Sequence, residues 1–137
     1  MTLTADETQF VEQSLRVLLD KKAEDPVVID LREESIPTGF FVVVGADNPV
    51  HAKALVTALR KELPRKPRQS EGLNERRWIV LDYGDVTIHV FQREARKFYD
   101  LDSLWADKRI EIEIEPEPPG SGQEVADDGA DPPIGDV

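Results

Sequence analysis

The chain contains no cysteine among its 137 residues. This absence excludes a disulfide framework and a thiolate metal site, and nothing ties the protein to an oxidising compartment. Its apolar runs are too short to span a membrane, and the first ten residues carry acidic side chains where a signal peptide would carry lysines. We therefore expect a cytosolic protein.

Basic residues are missing from the last fifth of the chain. Residues 1–110 hold all 17 lysines and arginines and 19 of the 28 acidic residues, which leaves 9 acidic residues for 111–137. Most of the net charge of −11 therefore belongs to the C-terminal segment, and the first segment is nearly neutral. Specific or tight binding to nucleic acid phosphates needs a basic surface, so we do not expect it.

The composition predicts one domain followed by a tail. With 39% hydrophobic residues, the chain is long enough for a single domain with a core, which we place at residues 1–110. Residues 111–137 form an acidic tail rich in proline and glycine. We predict disorder from about Pro116 onward, since this segment cannot bury enough apolar surface to offset the entropy of ordering.

Apolar periodicity predicts two amphipathic helices and about five strands. A capping-box pattern at Thr4 and Glu7 begins the first helix, which runs to about Lys22, and Asn48 begins the second, which Pro64 stops. Strands are predicted within 27–31, 40–44 and 65–70, and two more between 75 and 91. Residues 93–97 are interpreted as a charged connector and 98–105 as a short helix that presents Leu101, Leu104 and Trp105 together. The fold class is α+β, a mixed sheet with both amphipathic helices on one face.

Residues 75–91 predict a β-hairpin with two different faces. With the turn centred on Tyr83 and Gly84, Leu81 lies opposite Val86 and Ile79 opposite Ile88 on an apolar face. The other face combines aromatic, imidazole and carboxylate groups, a composition typical of a recognition surface. In the same register its members are Trp78, Val80, Asp82, Asp85, Thr87 and His89, with Phe91 at the far end.

Two interpretations of the aromatic residues remain open at this stage. Trp78, Tyr99 and Trp105 form an exposed patch for a partner, or they form a second small core if the C-terminal helix folds back on the sheet. The carboxylates of Asp82 and Asp85 also have two interpretations, as groups that stabilise the turn and as groups that bind.

Catalytic and metal chemistry find little support in the sequence. His89 and Asp85 lie about 13 Å apart along a strand, too far to share a metal ion. Neither His51 nor His89 has a nucleophile nearby, and no phosphate-binding glycine loop occurs. The basic run 65–68 could contact phosphate, but a solvated loop explains it better. We expect no enzyme activity, no metal and no cofactor.

Two runs of sequence, RRWIVLDYGDVTIHVF and KFYDLDSLW, resemble the ribosomal silencing factor family, also called iojap-like proteins. The segments KKAEDPVVIDLREES, FFVVVGADNPVHAKAL and SEGL follow the same order, and the resemblance covers about residues 5–107. It implies a nucleotidyltransferase-like fold and a non-enzymatic translation regulator. Such regulators bind the fourteenth protein of the large ribosomal subunit, L-fourteen, and block the small subunit from joining when nutrients are scarce. It also implies a possible homodimer off the ribosome.

The resemblance and the hairpin pattern together assign candidate partner-binding residues. The two tryptophans are expected to act as desolvated anchors, and Asp82, Asp85 and Asp100 to pair with basic residues of the partner. The full set is Trp78, Asp82, Tyr83, Asp85, His89, Tyr99, Asp100, Leu101, Leu104 and Trp105.

The chain departs from its relatives around two glycines. Many relatives have Asp-Tyr-Phe and then Ser-Gly where this chain has Gly39-Phe40-Phe41 and Gly45-Ala46. The nucleotidyltransferase reaction needs a Gly-Ser pair and paired carboxylates for metal and triphosphate, and neither is present. A degenerate nucleotidyltransferase-like protein and a ribosome-assembly adaptor remain as alternative functions.

Overall fold

A six-stranded sheet organises the fold in the computed structural model, which describes residues 5–112. The strand order is β3-β4-β5-β2-β1-β6. The pair β2 and β5 is parallel, and the other four pairs are antiparallel. The predicted α+β class with a mixed sheet is confirmed. The elements in chain order are α1 Ala5–Asp20, β1 Glu24–Asp30, β2 Phe40–Ala46, α2 Pro49–Glu62, β3 Gln69–Glu71, β4 Trp78–Asp82, β5 Val86–Gln92, α3 Arg93–Tyr99, α4 Leu101–Leu104, a 3₁₀ turn Ala106–Lys108, and β6 Arg109–Ile110.

The two long helices begin and end close to where the sequence predicts. The Asn48 side chain accepts a hydrogen bond from the His51 N–H at 2.8 Å, and Pro49 occupies the first turn of α2. The helix ends before Pro64, which cannot continue it. For α1, Thr4 of the predicted capping box lies outside the described residues. No helix within 5–112 combines the length and apolar character needed to cross a membrane.

Both long helices cover one side of the sheet, which we call the helix-covered face. Because strand residues alternate sides, the odd-numbered apolar residues of β4 and the even-numbered apolar residues of β5 point to this face. The core there contains residues from α1, α2 and four strands. Its largest fully buried members include Val11, Leu18, Phe40, Val42, Leu55, Leu59, Ile79, Leu81 and Ile88.

The hairpin register differs from the predicted one by two residues. Trp78 pairs with Phe91, and Val80 pairs with His89. The Tyr83 N–H donates to the Val86 carbonyl at 2.9 Å, so the turn is formed by the two residues between them rather than by Tyr83 and Gly84. A slip of two residues preserves side-chain alternation, so the predicted division into two faces remains correct.

The opposite side of the sheet, which we call the open face, carries only short helices. Residues 93–99 form α3, so the prediction of a connector there is wrong; their sequence lacks an apolar stripe, and only Ala95 is buried. A second core lies beneath α3 and α4, and the interpretation of a second small core is therefore correct in part. Its buried residues are Ile29, Leu31, Val43, Phe91 and Ala95, and the half-buried apolar residues packed on them are Val27, Ile36, Phe41, Trp78, Leu101 and Trp105.

A sixth strand, β6, was not predicted. It pairs with Val28 and Ile29 of β1 over two residues only. Continued by two more residues, this register would place Pro26 opposite Ile112, and proline has no N–H to donate. Ile110 and Ile112 nevertheless pack against the core of the helix-covered face. The segment predicted to be disordered, from about Pro116 onward, lies outside the described residues.

Candidate partner-docking surface

Trp78 lies at the start of β4, at the centre of an aromatic cluster on the open face. Its indole is stacked on Phe91 with ring centroids 4.9 Å apart, and it contacts the Tyr99 ring at 4.5 Å. Its Nε1 donates a hydrogen bond to Nδ1 of His89 at 3.0 Å. The side chain is half-buried, so part of the indole remains accessible. These contacts fix the orientation of the ring before any partner arrives.

His89 does not lie on the surface where the sequence predicted it. It is 5% exposed beneath Trp78 and Phe41, whose ring is 4.3 Å from the imidazole. Because Nδ1 accepts from the indole, Nε2 carries the proton of the neutral ring, and it has no hydrogen-bond partner in the described part of the chain. Burial lowers the pKa of His89 to about 4. His89 therefore supports Trp78 from below as a neutral ring.

Large apolar side chains are exposed in the turn before β4 and in residues 98–104. Phe98 is 78% exposed and Tyr99 47%, and their rings are 5.0 Å apart. Leu104 on α4 is 65% exposed, and Leu73 in the turn before β4 is 40% exposed. An open groove of about 540 Å³ connects Leu73, Trp78 and Tyr99. We call Leu73, Trp78, Phe98, Tyr99 and Leu104 the docking surface.

Leu101, Leu104 and Trp105 of the second family motif do not all face outward. Leu101 and Trp105 are half-buried and pack on the second core, whereas Leu104 points to solvent. The sequence predicted that all three are presented together. Trp105 consequently anchors α4 to the sheet of its own chain, and only Leu104 offers an uncovered apolar side chain.

Asp100 lies between α3 and α4 and has a left-handed backbone conformation, with φ 50 and ψ 50. Its carboxylate accepts a hydrogen bond from the Ser103 N–H at 3.3 Å and so caps the short helix. The residue is exposed beside Tyr99. Its carboxylate has a role within the chain and remains accessible from outside.

Asp82 and Asp85 lie at the hairpin tip, about 13 Å along β4 from Trp78. Asp82 Oδ1 accepts a hydrogen bond from the Gly84 N–H at 2.7 Å, so the interpretation as a turn residue is correct for Asp82. Both carboxylates also form ion pairs within the chain, Asp82 with Arg68 at 3.3 Å and Asp85 with Arg65 at 3.1 Å. The tip is thus separate from the aromatic cluster.

Tyr83 is a core residue, and its assignment to a binding surface is inconsistent with this position. It is 4% exposed on the helix-covered face and meets the Phe10 ring edge-on at 5.1 Å. Its hydroxyl is buried without a hydrogen-bond partner among the described residues, and burial raises the pKa of this phenol. The sequence error followed from the turn, because Tyr83 was placed within it instead of at the end of β4.

The described residues contain no group of three or more histidine, aspartate or glutamate side chains placed to hold a metal ion. His51 links two segments of the backbone: its Nδ1 accepts from the Asp47 N–H at 2.9 Å, and its Nε2 lies 2.8 Å from the Lys21 carbonyl, to which it donates. This arrangement explains His51 as a structural residue between α1 and α2.

Sequence reasoning missed two members of the docking surface, Leu73 and Phe98. Each is a large apolar residue within a polar segment, Leu73 between Gly72 and Asn74 and Phe98 after the charged run 93–97. An apolar side chain in such a segment is either anchored to a core or left exposed, and this was the available signal. Only the fold decides between the two outcomes.

The fold and the aromatic surface define a small α+β domain with a candidate surface for a macromolecular partner. The sequence profile of the family described as "Ribosomal silencing factor during starvation" matches residues 4–132. The chain therefore belongs to the ribosomal silencing factor family. The name of this family describes a regulator of ribosomes rather than a catalyst.

Individual relatives agree with this assignment. The chain is 38% identical over 93 residues to the ribosomal silencing factor RsfS of Treponema pallidum, which covers 66% of this chain and 84% of the relative. It is 29% identical over 109 residues to the protein of the same name from Halalkalibacterium halodurans, covering 77% and 93%. A crystal structure from Bacillus halodurans has the same fold, with a TM-score of 0.65, 27% identity, and coverage of 76% of this chain and 98% of that one.

Proposed function

We propose that the protein is a cytoplasmic translation regulator that binds the large ribosomal subunit through the subunit's fourteenth protein and blocks joining of the small subunit. Membership of the ribosomal silencing factor family supports a role at the ribosome. The observation that carries the proposal is the docking surface, where the exposed Leu73 and Tyr99 share a groove with the half-buried Trp78.

The composition of the docking surface suits a protein partner. Aromatic residues and leucine at the centre of an interface lose water on binding, and tryptophan and tyrosine are enriched among the residues that dominate affinity. The pre-set contacts of Trp78 with Phe91, Tyr99 and His89 reduce the entropy that binding would otherwise cost. Polar groups of Arg77 and Asp100 lie at the edge. Occupation of one surface of the large subunit blocks joining without any chemical step.

Charge favours a basic ribosomal protein over ribosomal RNA. The first 110 residues are nearly neutral and the remainder is acidic, so the chain is repelled by bare phosphate. Of the three carboxylates predicted to bind, Asp82 and Asp85 already have arginine partners, whereas Asp100 is exposed beside Tyr99. Asp100 is therefore the first choice for a contact with a lysine or arginine of the partner.

A charge placed on the docking surface tests the proposal. Leu104→Asp introduces a carboxylate at a site that binding would dehydrate, and we expect its dissociation constant for isolated large subunits to rise about 30-fold or more, as for an interface hot spot. Val50→Asp is the matched control: Val50 is 75% exposed on α2, away from the open face, and its variant should bind within about twofold of wild type.

Subunit joining, followed by light scattering or sucrose gradients, completes the experiment. The wild type should reduce joining in proportion to its occupancy of the large subunit, and Leu104→Asp should restore joining at equal concentration. Saturating occupancy with undiminished joining would rule out steric silencing. Equal binding by Leu104→Asp and wild type would place the interface elsewhere. If the chain cross-links to a large-subunit protein other than the fourteenth, the proposed partner is wrong.

A further inference from the structure

Arg96 on α3 forms an unusually complete set of hydrogen bonds. Its Nε and Nη2 donate to the two carboxylate oxygens of Asp102 at 2.9 and 3.1 Å. Its Nη1 donates to the Glu24 carbonyl at 3.1 Å, and Nη2 also donates to the Asp25 carbonyl at 2.7 Å. The side chain is only 14% exposed, and that of Asp102 is 25% exposed. Charge-assisted, bidentate pairs of this kind are stronger and more directional than ordinary surface pairs.

These bonds join three segments: the start of β1, which is distant in sequence, and the two short helices α3 and α4, which a turn separates. The two carbonyls belong to the start of β1, more than 70 residues before Arg96, and Asp102 belongs to α4. The Arg96 carbonyl accepts from the Asp100 N–H at 2.9 Å, where the chain turns through the left-handed region. Asp25 is also held in a left-handed conformation, at φ 44. One guanidinium therefore fixes the angle between α3 and α4 and their position on the sheet.

The α3 and α4 helices need the Arg96 hydrogen bonds because they make few apolar contacts of their own. α3 has seven residues and α4 has four, far fewer than an isolated helix needs to be stable. Only Ala95 is buried in α3, and Leu101 and Trp105 are half-buried. Yet Phe98, Tyr99 and Leu104 of the docking surface all lie in this stretch.

We infer that Arg96 is the positioning residue of the docking surface, with Asp102 as its partner on α4. This inference rests on the proposed function, and it adds that recognition depends on a charged clamp that no partner touches. In the clamped state Tyr99 covers Trp78 and Leu104 faces outward. Without the clamp, residues 99–105 lose a fixed place on the sheet, and the partner must order them on binding.

The first test separates presentation of the surface from stability of the fold. Arg96→Gln removes the charge and the bidentate bond, and its dissociation constant for large subunits should rise about tenfold or more at a temperature far below unfolding. Arg93→Gln is the matched control on the same helix. Arg93 also pairs with Glu24 and Asp47, but its side chain is 64% exposed, so the variant should bind within about twofold of wild type.

Amide hydrogen exchange on the isolated protein gives a readout that does not depend on the ribosome. In Arg96→Gln, exchange should accelerate at residues 99–105 and stay unchanged in β2 and β5, and the Trp78–Tyr99 ring contact should weaken in nuclear Overhauser spectra. Unchanged exchange at 99–105 would overturn the inference. If the wild type fails to bind large subunits, the proposed function is wrong, and exchange still decides the role of Arg96.

A second variant guards against loss of folding in the first. Asp102→Asn leaves Arg96 bonded to the Glu24 and Asp25 carbonyls and weakens only the link to α4. Exchange should then accelerate at 101–104 but not at 93–99. The double variant that swaps the charges, Arg96→Asp with Asp102→Arg, should not restore binding, because an aspartate cannot donate hydrogen bonds to the Glu24 and Asp25 carbonyls. Recovery of wild-type affinity in that double variant would reduce the clamp to a simple ion pair and overturn the inference.

Discussion

The two faces of the sheet are built from the same strands but are stabilised differently. On the helix-covered face, α1 and α2 bury Ile79, Leu81, Ile88 and Val90 almost completely. On the open face, the neighbouring strand positions hold Trp78, Val80, His89 and Phe91, and two of these remain half-buried. One face is sealed by amphipathic helices, and the other is covered by short helices that the largely buried Arg96 links to β1.

This difference shows how a small domain combines stability with an accessible apolar surface. The helix-covered face supplies most of the apolar burial, which is the main favourable term in folding. The open face can then tolerate exposed Phe98 and Leu104 and a buried N–H donor of His89 that has no partner within residues 5–112. Its order comes from directional contacts, namely the indole–imidazole hydrogen bond and the Arg96 network.

Truncation of one residue on each face gives the largest expected contrast. Leu81→Ala removes a fully buried side chain from the helix-covered face and should lower the free energy of unfolding by about 3 to 4 kcal/mol. Val80→Ala, at the next position on the half-buried open face, should cost about 1 kcal/mol. Urea denaturation of both variants measures the difference. Equal losses would mean that the open face is as tightly packed as the other.

The pH dependence of stability tests the open face alone. Burial lowers the pKa of His89 from 6.5 to about 4. Between pH 6.5 and pH 4 the imidazole is therefore protonated in the unfolded chain and neutral in the native chain. Stability from this residue is complete above pH 6.5 and is lost as the pH falls to 4, in total about 3 kcal/mol. His89→Gln keeps a hydrogen-bond acceptor for the indole but cannot titrate.

Urea unfolding of wild type and His89→Gln from pH 7 to pH 4 isolates this term, because all other titrating groups are common to both proteins. The difference between their free energies of unfolding should change in favour of the variant as the pH falls. Parallel curves would show that His89 is charged or solvated in the folded state.

The sequence predicted the elements whose signals are local. The Asn48 cap, Pro49 and Pro64 mark α2 within the chain itself, and alternation in 78–82 and 86–92 assigns the two faces. Features that depend on distant contacts were missed. β6 exists because it reaches β1, and α3 is held by bonds from Arg96 to the Glu24 and Asp25 carbonyls, about 70 residues away.

For the candidate site, the sequence identified the aromatic residues but could not decide their exposure. Whether Trp78 and Trp105 form a patch or a second core depends on where 98–105 folds, and the answer combines both: the tryptophans are half-buried and Phe98 and Leu104 are exposed. Tyr83 was misplaced because the sequence put it inside the turn, whereas its hydrogen bond to Val86 makes it the residue after β4 that continues the helix-covered face.

The smallest expected effects lie at the hairpin tip, which belongs to neither face. Asp85 pairs with Arg65 at 3.1 Å, but the side chains are 54% and 42% exposed, and Arg65 also lies over the Phe10 ring at 4.0 Å. Asp85→Asn should therefore change the free energy of unfolding by about 0.5 kcal/mol or less. Asp82→Ala should cost more, about 1 kcal/mol, because it removes the side-chain oxygen that accepts the Gly84 N–H bond.

Urea denaturation in low and in high salt distinguishes these two carboxylates. Salt screens an exposed ion pair but leaves a short hydrogen bond to the backbone largely intact, so the small effect of Asp85→Asn should vanish at high salt and that of Asp82→Ala should persist. A loss above about 1 kcal/mol for Asp85→Asn would mean that the tip contributes to stability as a packed element. A small loss leaves the Asp85 carboxylate able to exchange Arg65 for a basic group of a partner at little cost in stability.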